Sequence, residues 1–159
     1  MQQSTTRRTL HYYWQVTRKH KSLFWGLIVS TFLFVALLSY GNPYVMSLVV
    51  DRVSEGGVGP DEVFSAYGPY IVALIAINVF GQAASKFQDY TLYKLEIAAA
   101  YDLATMSFDA LCNQSMSFHS NRFGGTLVSQ TSKFMSAYQQ LIETIMFPFL
   151  PVMCSVIFT

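Results

Sequence analysis

Side chains able to do covalent chemistry are few in this chain, and none is grouped as a reaction would need. His11, His20 and His119 are isolated in sequence, and no two carboxylates fall in a plausible pocket. Cys112 and Cys154 lie far apart in segments predicted to be helical. No Cys-x-x-Cys or Cys/His spacing points to a metal, so they read as two reduced packing cysteines. A Gly-x-x-x-x-Gly-Lys-Ser/Thr phosphate loop is missing. Gly124-Gly125 does not replace it, because no Lys-Ser or Lys-Thr follows at the right spacing. The net charge is +1, which gives no strongly basic surface for nucleic acid.

What remains is a set of polar side chains in apolar surroundings. Tyr40, Asn42, Asn78 and Gln82 sit inside long uncharged runs. There they would line a cavity for a transported molecule or pack helix against helix. Glu143 stands at the start of a third apolar run. Acids inside spans are commonly functional, but at this edge a solvated interfacial carboxylate is the plainer reading.

The elements that hold these residues follow from the charge pattern. Apolar residues make up 52% of the 159-residue chain and charged ones 12%, about half the share usual in a soluble domain. Ser22–Val50 holds 29 residues without a charge, Val63–Ser85 holds 23 and Thr144–Thr159 holds 16. Crossing hydrocarbon takes about 20 apolar residues. The first run is ample, the second adequate and the third incomplete, so the chain reads as a fragment. The first run is too long for a secretory signal and lacks a small-residue cleavage site.

Residues 1–6 are polar and predicted to be disordered. Leu10, Tyr13 and Trp14 then fall at i, i+3, i+4, opposite His11, Gln15 and Arg18. This spacing predicts a short interfacial helix with its aromatic side toward the membrane. Span 1 follows over 22–52, with a kink at Gly41-Asn42-Pro43. A Gly- and Pro-rich loop over 53–68 leads to Pro69, which suits a first helical turn. From Pro69 one helix is predicted to continue to about Gln114, about 70 Å, well beyond the bilayer core. Its extension carries Tyr90, Tyr93, Ile97, Tyr101, Ala104, Phe108 and Leu111 at steps of three or four, with Lys86, Asp89, Lys94, Glu96, Asp102 and Asp109 mostly between them. That is an amphipathic stalk in need of partners. A turn at 115–125 returns the chain into a third helix over 126–159, polar at first and membrane-like after Glu143. The fold class is therefore an all-α membrane protein, with long spans extended into the cytoplasm as an antiparallel stalk.

Lys and Arg counts orient it. Residues 1–21 contain Arg7, Arg8, Arg18, Lys19 and Lys21 and no acid, whereas the 51–62 loop sets Arg52 against Asp51, Glu55, Asp61 and Glu62. The N-terminus and the stalk are expected on the cytoplasmic side of the cell membrane.

Ser117-Phe118-His119-Ser120-Asn121-Arg122-Phe123-Gly124-Gly125-Thr126-Leu127-Val128-Ser129 resembles the Phe-x-x-x-Arg/Pro-x-Gly-x-Leu-x-Ser pattern between spans two and three of ABC exporters. Leu10-His11-Tyr12-Tyr13-Trp14 before a basic cluster resembles their elbow helix, and Asn42-Pro43-Tyr44 with Asp51 and Arg52 the end of their first span. The resemblance runs in order over nearly the whole chain. It departs after Ser129, where Gln130-Thr131-Ser132-Lys133 stands in place of the family's Arg and Thr/Asn-Asp pair. The resemblance implies the N-terminal part of a type IV membrane domain, without its nucleotide-binding domain. It also implies a coupling helix in the turn, with Phe118 as apolar anchor and Ser117, His119, Ser120, Asn121 and Arg122 as polar contacts. Arg122 would meet a carboxylate or a phosphate. ATP and Mg would belong to the complete transporter and not to this chain. The implied partners are a nucleotide-binding domain, a second transporter half and the bilayer.

Two other readings compete. A small proton-coupled carrier would need an ionisable residue within a span, and Ser22–Val50 and Pro69–Ser85 have none. A membrane adaptor that binds another protein through its stalk fits the same pattern.

Overall fold

Three helical columns follow a short N-terminal helix. The computed structural model describes residues 2–56, 59, 62–114 and 124–158. Helix α1 covers Gln2–Lys19. The first column is α2 (Lys21–Phe34), a π-helical segment (Val35–Gly41) and α3 (Asn42–Ser54). The second is a single helix, α4 (Val63–Cys112). The third is α5 (Gly124–Thr144), a second π-helical segment (Ile145–Phe149) and α6 (Leu150–Phe158). Each column is long and apolar enough to cross a membrane. The uncharged runs 22–50, 63–85 and 144–158 lie one in each of these candidate spans. A 50-residue α4 is about 75 Å long, more than twice the about 30 Å of a bilayer core.

The boundaries depart from the sequence expectations at two places. Residues 2–6 are helical, because neither Gly nor Pro interrupts them and a nucleated helix propagates cheaply. Helix α4 begins six residues before Pro69, which lies inside it. Val63, Phe64 and Ala66 extend the apolar run, and in a bilayer one proline is easier to tolerate than a stretch of unbonded backbone. At the expected kink of span 1 the chain widens into the π segment just ahead of Pro43. The second π segment contains Pro148. The wider turn relieves the clash between a proline ring and the carbonyl one turn earlier.

The core joins all the columns. Tyr13 and Val16 of α1, Leu27 of α2, Leu92, Leu95, Ala99 and Leu103 of α4, Tyr138 and Ile142 of α5, and Met146 are all buried in one cluster. The face that packs within the chain is not the stalk stripe read from sequence. Tyr90, Tyr93, Ile97, Tyr101 and Phe108 are exposed, and the buried face of α4 is Gln88, Leu92, Leu95, Ala99 and Leu103. Both sets repeat at steps of three and four, so periodicity names two stripes and only packing chooses between them. Cys154 is buried, as a packing cysteine should be, whereas Cys112 is exposed.

Spans 1 and 2 approach closely at Gly81. A Cβ there would overlap the Leu38 side chain, which the π segment of span 1 lays across the glycine. Small residues allow such approaches between spans, where no hydrophobic effect drives helices together.

Candidate functional site

Helix α1 ends at Lys19, and His20 leaves the helical conformation (φ −105°, ψ 39°), so the chain turns before α2. The turn places two basic residues, Lys19 and His20, beside the stalk. Lys19 Nζ lies 2.6 Å from Asp102 Oδ1 and His20 Nε2 lies 2.8 Å from Asp102 Oδ2. The Asp102 side chain is 11% exposed and that of Lys19 64%. Burial would raise the Asp102 pKa, but the hydrogen bonds and charges of Lys19 and His20 hold it below the usual carboxylate range. Asp102 reads in sequence as one of the charged residues between apolar positions. The structure makes it the buried anchor of the α1–α2 turn.

A second set of contacts ties α1 to α5. The Tyr13 hydroxyl donates to the Phe134 carbonyl at 2.7 Å, and the Thr17 hydroxyl donates to the Tyr13 carbonyl at 2.8 Å. Thr17 Oγ1 is also 3.0 Å from the Tyr138 hydroxyl. The Tyr13 ring packs edge-on against Tyr138, with centroids 5.3 Å apart. Burial raises the Tyr138 and Tyr13 hydroxyl pKa values, so both stay protonated donors. Helix α1 therefore clasps both stalk helices, α4 through Asp102 and α5 through Tyr13 and Thr17. Near this clasp Glu96 Oε1 is buried and has no hydrogen-bond partner among the described residues. Burial, then the charge of Glu143, raises the Glu96 pKa.

Between the spans lies an open hollow of about 470 Å³. Its polar wall comes from Ser39, Ser85, Gln88, Asp89 and Ser155, with Phe34 and Phe147 supplying apolar surface. None of the four predicted pathway residues lines it. Asn42 and Asn78 bond to each other across spans 1 and 2, at 3.0 Å. The Tyr40 hydroxyl is 2.9 Å from both the carbonyl and the hydroxyl of Ser155, joining spans 1 and 3. Gln82 is exposed. Sequence reasoning missed Ser39, Ser85 and Ser155, because a serine in a span carries no signal of its own; Gln88 and Asp89 lay just beyond the uncharged run. Glu143 is exposed. The predicted coupling residues Ser117, Phe118, His119, Ser120, Asn121 and Arg122 lie outside the described residues. What is described is their approach: α4 ends at Cys112 and α5 begins at Gly124. Among the described residues no group of three or more His, Cys, Asp or Glu is placed to hold a metal ion.

The sequence matches a family over most of the chain. The profile of the ABC transporter transmembrane region covers residues 25–159. The chain belongs to that family. As an ABC transporter transmembrane region it is an integral membrane protein, and its spans 1 to 3 are part of a membrane domain. It is 27% identical over 139 residues to the transport/processing ATP-binding protein ComA of Streptococcus pneumoniae serotype 4, across 87% of this chain and 18% of that protein. It is 26% identical to the ComA of the R6 strain over the same shares. The chain thus spans about a fifth of the length of these curated relatives. No solved structure is significantly similar to it.

Proposed function

We propose that the chain is the N-terminal part of the membrane domain of an ATP-driven ABC exporter, and that α4 and α5 form its first coupling arm. Helix α4 carries this reading. It runs unbroken over 50 residues to Cys112, far longer than a bilayer core needs, and α5 returns from Gly124. Helix hydrogen bonds resist bending, so a force applied at the tip is delivered to the spans as a lever movement. The tip residues 117–122 would dock on a nucleotide-binding domain, with Phe118 as the apolar anchor. Closure of that domain then biases the equilibrium between inward- and outward-open states.

ATP and Mg belong to that domain, since no phosphate loop exists in this sequence. The exposed stripe of Tyr90, Tyr93, Ile97, Tyr101 and Phe108 is the face of the stalk for the second transporter half or for further spans. The hollow beside Gln88 and Asp89 belongs to the translocation pathway, with Tyr40, Asn42, Asn78 and Gln82 higher along it. The N-terminus and the stalk are on the cytoplasmic side of the cell membrane, from the Lys and Arg distribution.

A cysteine in place of Phe118 tests the reading in native membranes. Cys112 and Cys154 are first changed to serine, because Cys112 is exposed near the tip. A crosslink to a nucleotide-binding domain that changes in yield with ATP supports the coupling role. A functional transporter that gives no such crosslink overturns it.

A further inference from the structure

The outer side of α1 carries residues that neither the clasp nor the coupling arm uses. Trp14 does not stand opposite His11 and Arg18, as the short sequence pattern suggested: Arg7, His11, Trp14 and Arg18 recur at i, i+4, i+7 and i+11, lie in one line along the helix and are all exposed, while Tyr13 turns into the core. Leu10 sits beside Trp14 and is half exposed. Next to this line an apolar groove of about 170 Å³ opens between α1 and the third column. Leu10, Trp14, Phe24, Leu141, Ile142 and Ile145 form most of its wall. The hydroxyls of Thr17 and Tyr138 in the wall face each other at 3.0 Å, which leaves its accessible surface apolar. Leu10 also borders a second hollow, with Arg7, Arg8, His11 and Tyr12 around it.

Two features of this groove limit what can fill it. First, it runs from α1 to Phe24 and Ile145 of two candidate spans, so its wall continues onto the apolar surface of those spans. Second, its rim is cationic: Arg7 and Arg18 are exposed on the same line of α1 as Trp14, a groove residue, and residues 1–21 hold no acid to neutralise them. An acyl chain matches the groove and an anionic headgroup matches the rim. Arginine side chains can lay their stems along the apolar edge and carry their charge to phosphate level.

We propose that the groove between α1 and α5 is a site for an anionic phospholipid of the adjoining leaflet. One acyl chain lies against Leu10, Trp14 and Ile145, and the headgroup phosphate meets Arg7, His11 and Arg18. Because α1 clasps both stalk helices, such a lipid braces the clasp from outside. It would make the position of the stalk sensitive to the charge of the leaflet.

The test uses the full-length protein in nanodiscs with equal phosphatidylglycerol and phosphatidylcholine. p-Benzoylphenylalanine replaces Trp14 in one variant and Val29, an exposed residue of span 1, in another. After irradiation the lipid adducts are identified by mass spectrometry. The expected result is a several-fold excess of phosphatidylglycerol adduct at position 14 and no preference at position 29. Combined Arg7→Gln and Arg18→Gln substitutions should bring position 14 to the ratio of position 29. Equal ratios at the two positions, a preference unchanged by the arginine substitutions, or adducts to protein instead of lipid at position 14 would each overturn the proposal. None of these readouts depends on ATP coupling, so failure of the coupling reading leaves this site standing.

Discussion

His20 and Asp102 are 82 positions apart in sequence and 2.8 Å apart in space. Lys19 reaches the other carboxylate oxygen, so one buried acid fixes the place where the chain turns from α1 into span 1. Its burial makes Asp102 the costly member to lose: removing it breaks two charge-assisted bonds at once. Lys19 is largely solvated, and exposed ion pairs contribute about 0–1 kcal/mol.

Asp102→Ala is therefore expected to cost about 1–3 kcal/mol, with a smaller loss for His20→Ala and the smallest for Lys19→Ala. Thermal midpoints of the protein in detergent give the order. A larger effect for Lys19→Ala than for Asp102→Ala would contradict it.

The same carboxylate predicts a pH dependence. Its folded pKa lies below the unfolded value of about 3.9. Its contribution is thus complete above that value and disappears as pH falls through the folded pKa. The stability gap between the native protein and Asp102→Asn should be present at about pH 5 and close only below about 4. A gap that closes near neutrality would point to some other titrating group.

Glu96 should behave in the opposite sense. Its folded pKa is raised, by burial first and then by Glu143, above an unfolded value of about 4.3. The cost of its charge is absent at low pH, grows as pH rises through the interval and is complete above it. Glu96→Gln is expected to stabilise the protein by about 1 kcal/mol at neutral pH and to be neutral at about pH 4. Paired melts at the two pH values check this, and a destabilised variant at neutral pH would rule it out.

Two glycines of the spans should respond differently to a methyl group. At Gly81 the methyl overlaps Leu38, and overpacking typically costs about 1–3 kcal/mol. At Gly26 the nearest atom is Thr91 Cγ2 at 3.5 Å, an ordinary contact. Gly81→Ala should destabilise while Gly26→Ala is neutral or mildly stabilising. A compensating Leu38→Ala should restore part of the loss in the Gly81 variant but not alter the Gly26 variant in that direction.

The tyrosine hydroxyls of the clasp are separable. Tyr13→Phe removes the bond to the Phe134 carbonyl and should cost about 1 kcal/mol. Tyr138→Phe should cost less, because Thr17 keeps its bond to the Tyr13 carbonyl. Reversal of that order in thermal melts would show that the Thr17–Tyr138 contact carries the clasp.

The sequence by itself determined the number of spans and the length of the stalk. Uncharged runs near 20 residues leave few alternatives to a membrane, and an unbroken stretch without Gly or Pro from Gln82 to Cys112 leaves few alternatives to one helix. The motif around Phe118 carried the family. Only the tertiary structure decided which way each helix faces. Helix α4 is apolar on two sides, and its inner side became Leu92, Leu95, Ala99 and Leu103 because α2 and α5 pack there. Asp102 is an ordinary surface acid until Lys19 and His20 arrive from the α1–α2 turn, since an ion pair between residues 82 and 83 positions apart leaves no local pattern to read. Asn42 and Asn78, which in sequence suit either a cavity wall or helix packing, bond to each other across two spans in this fold.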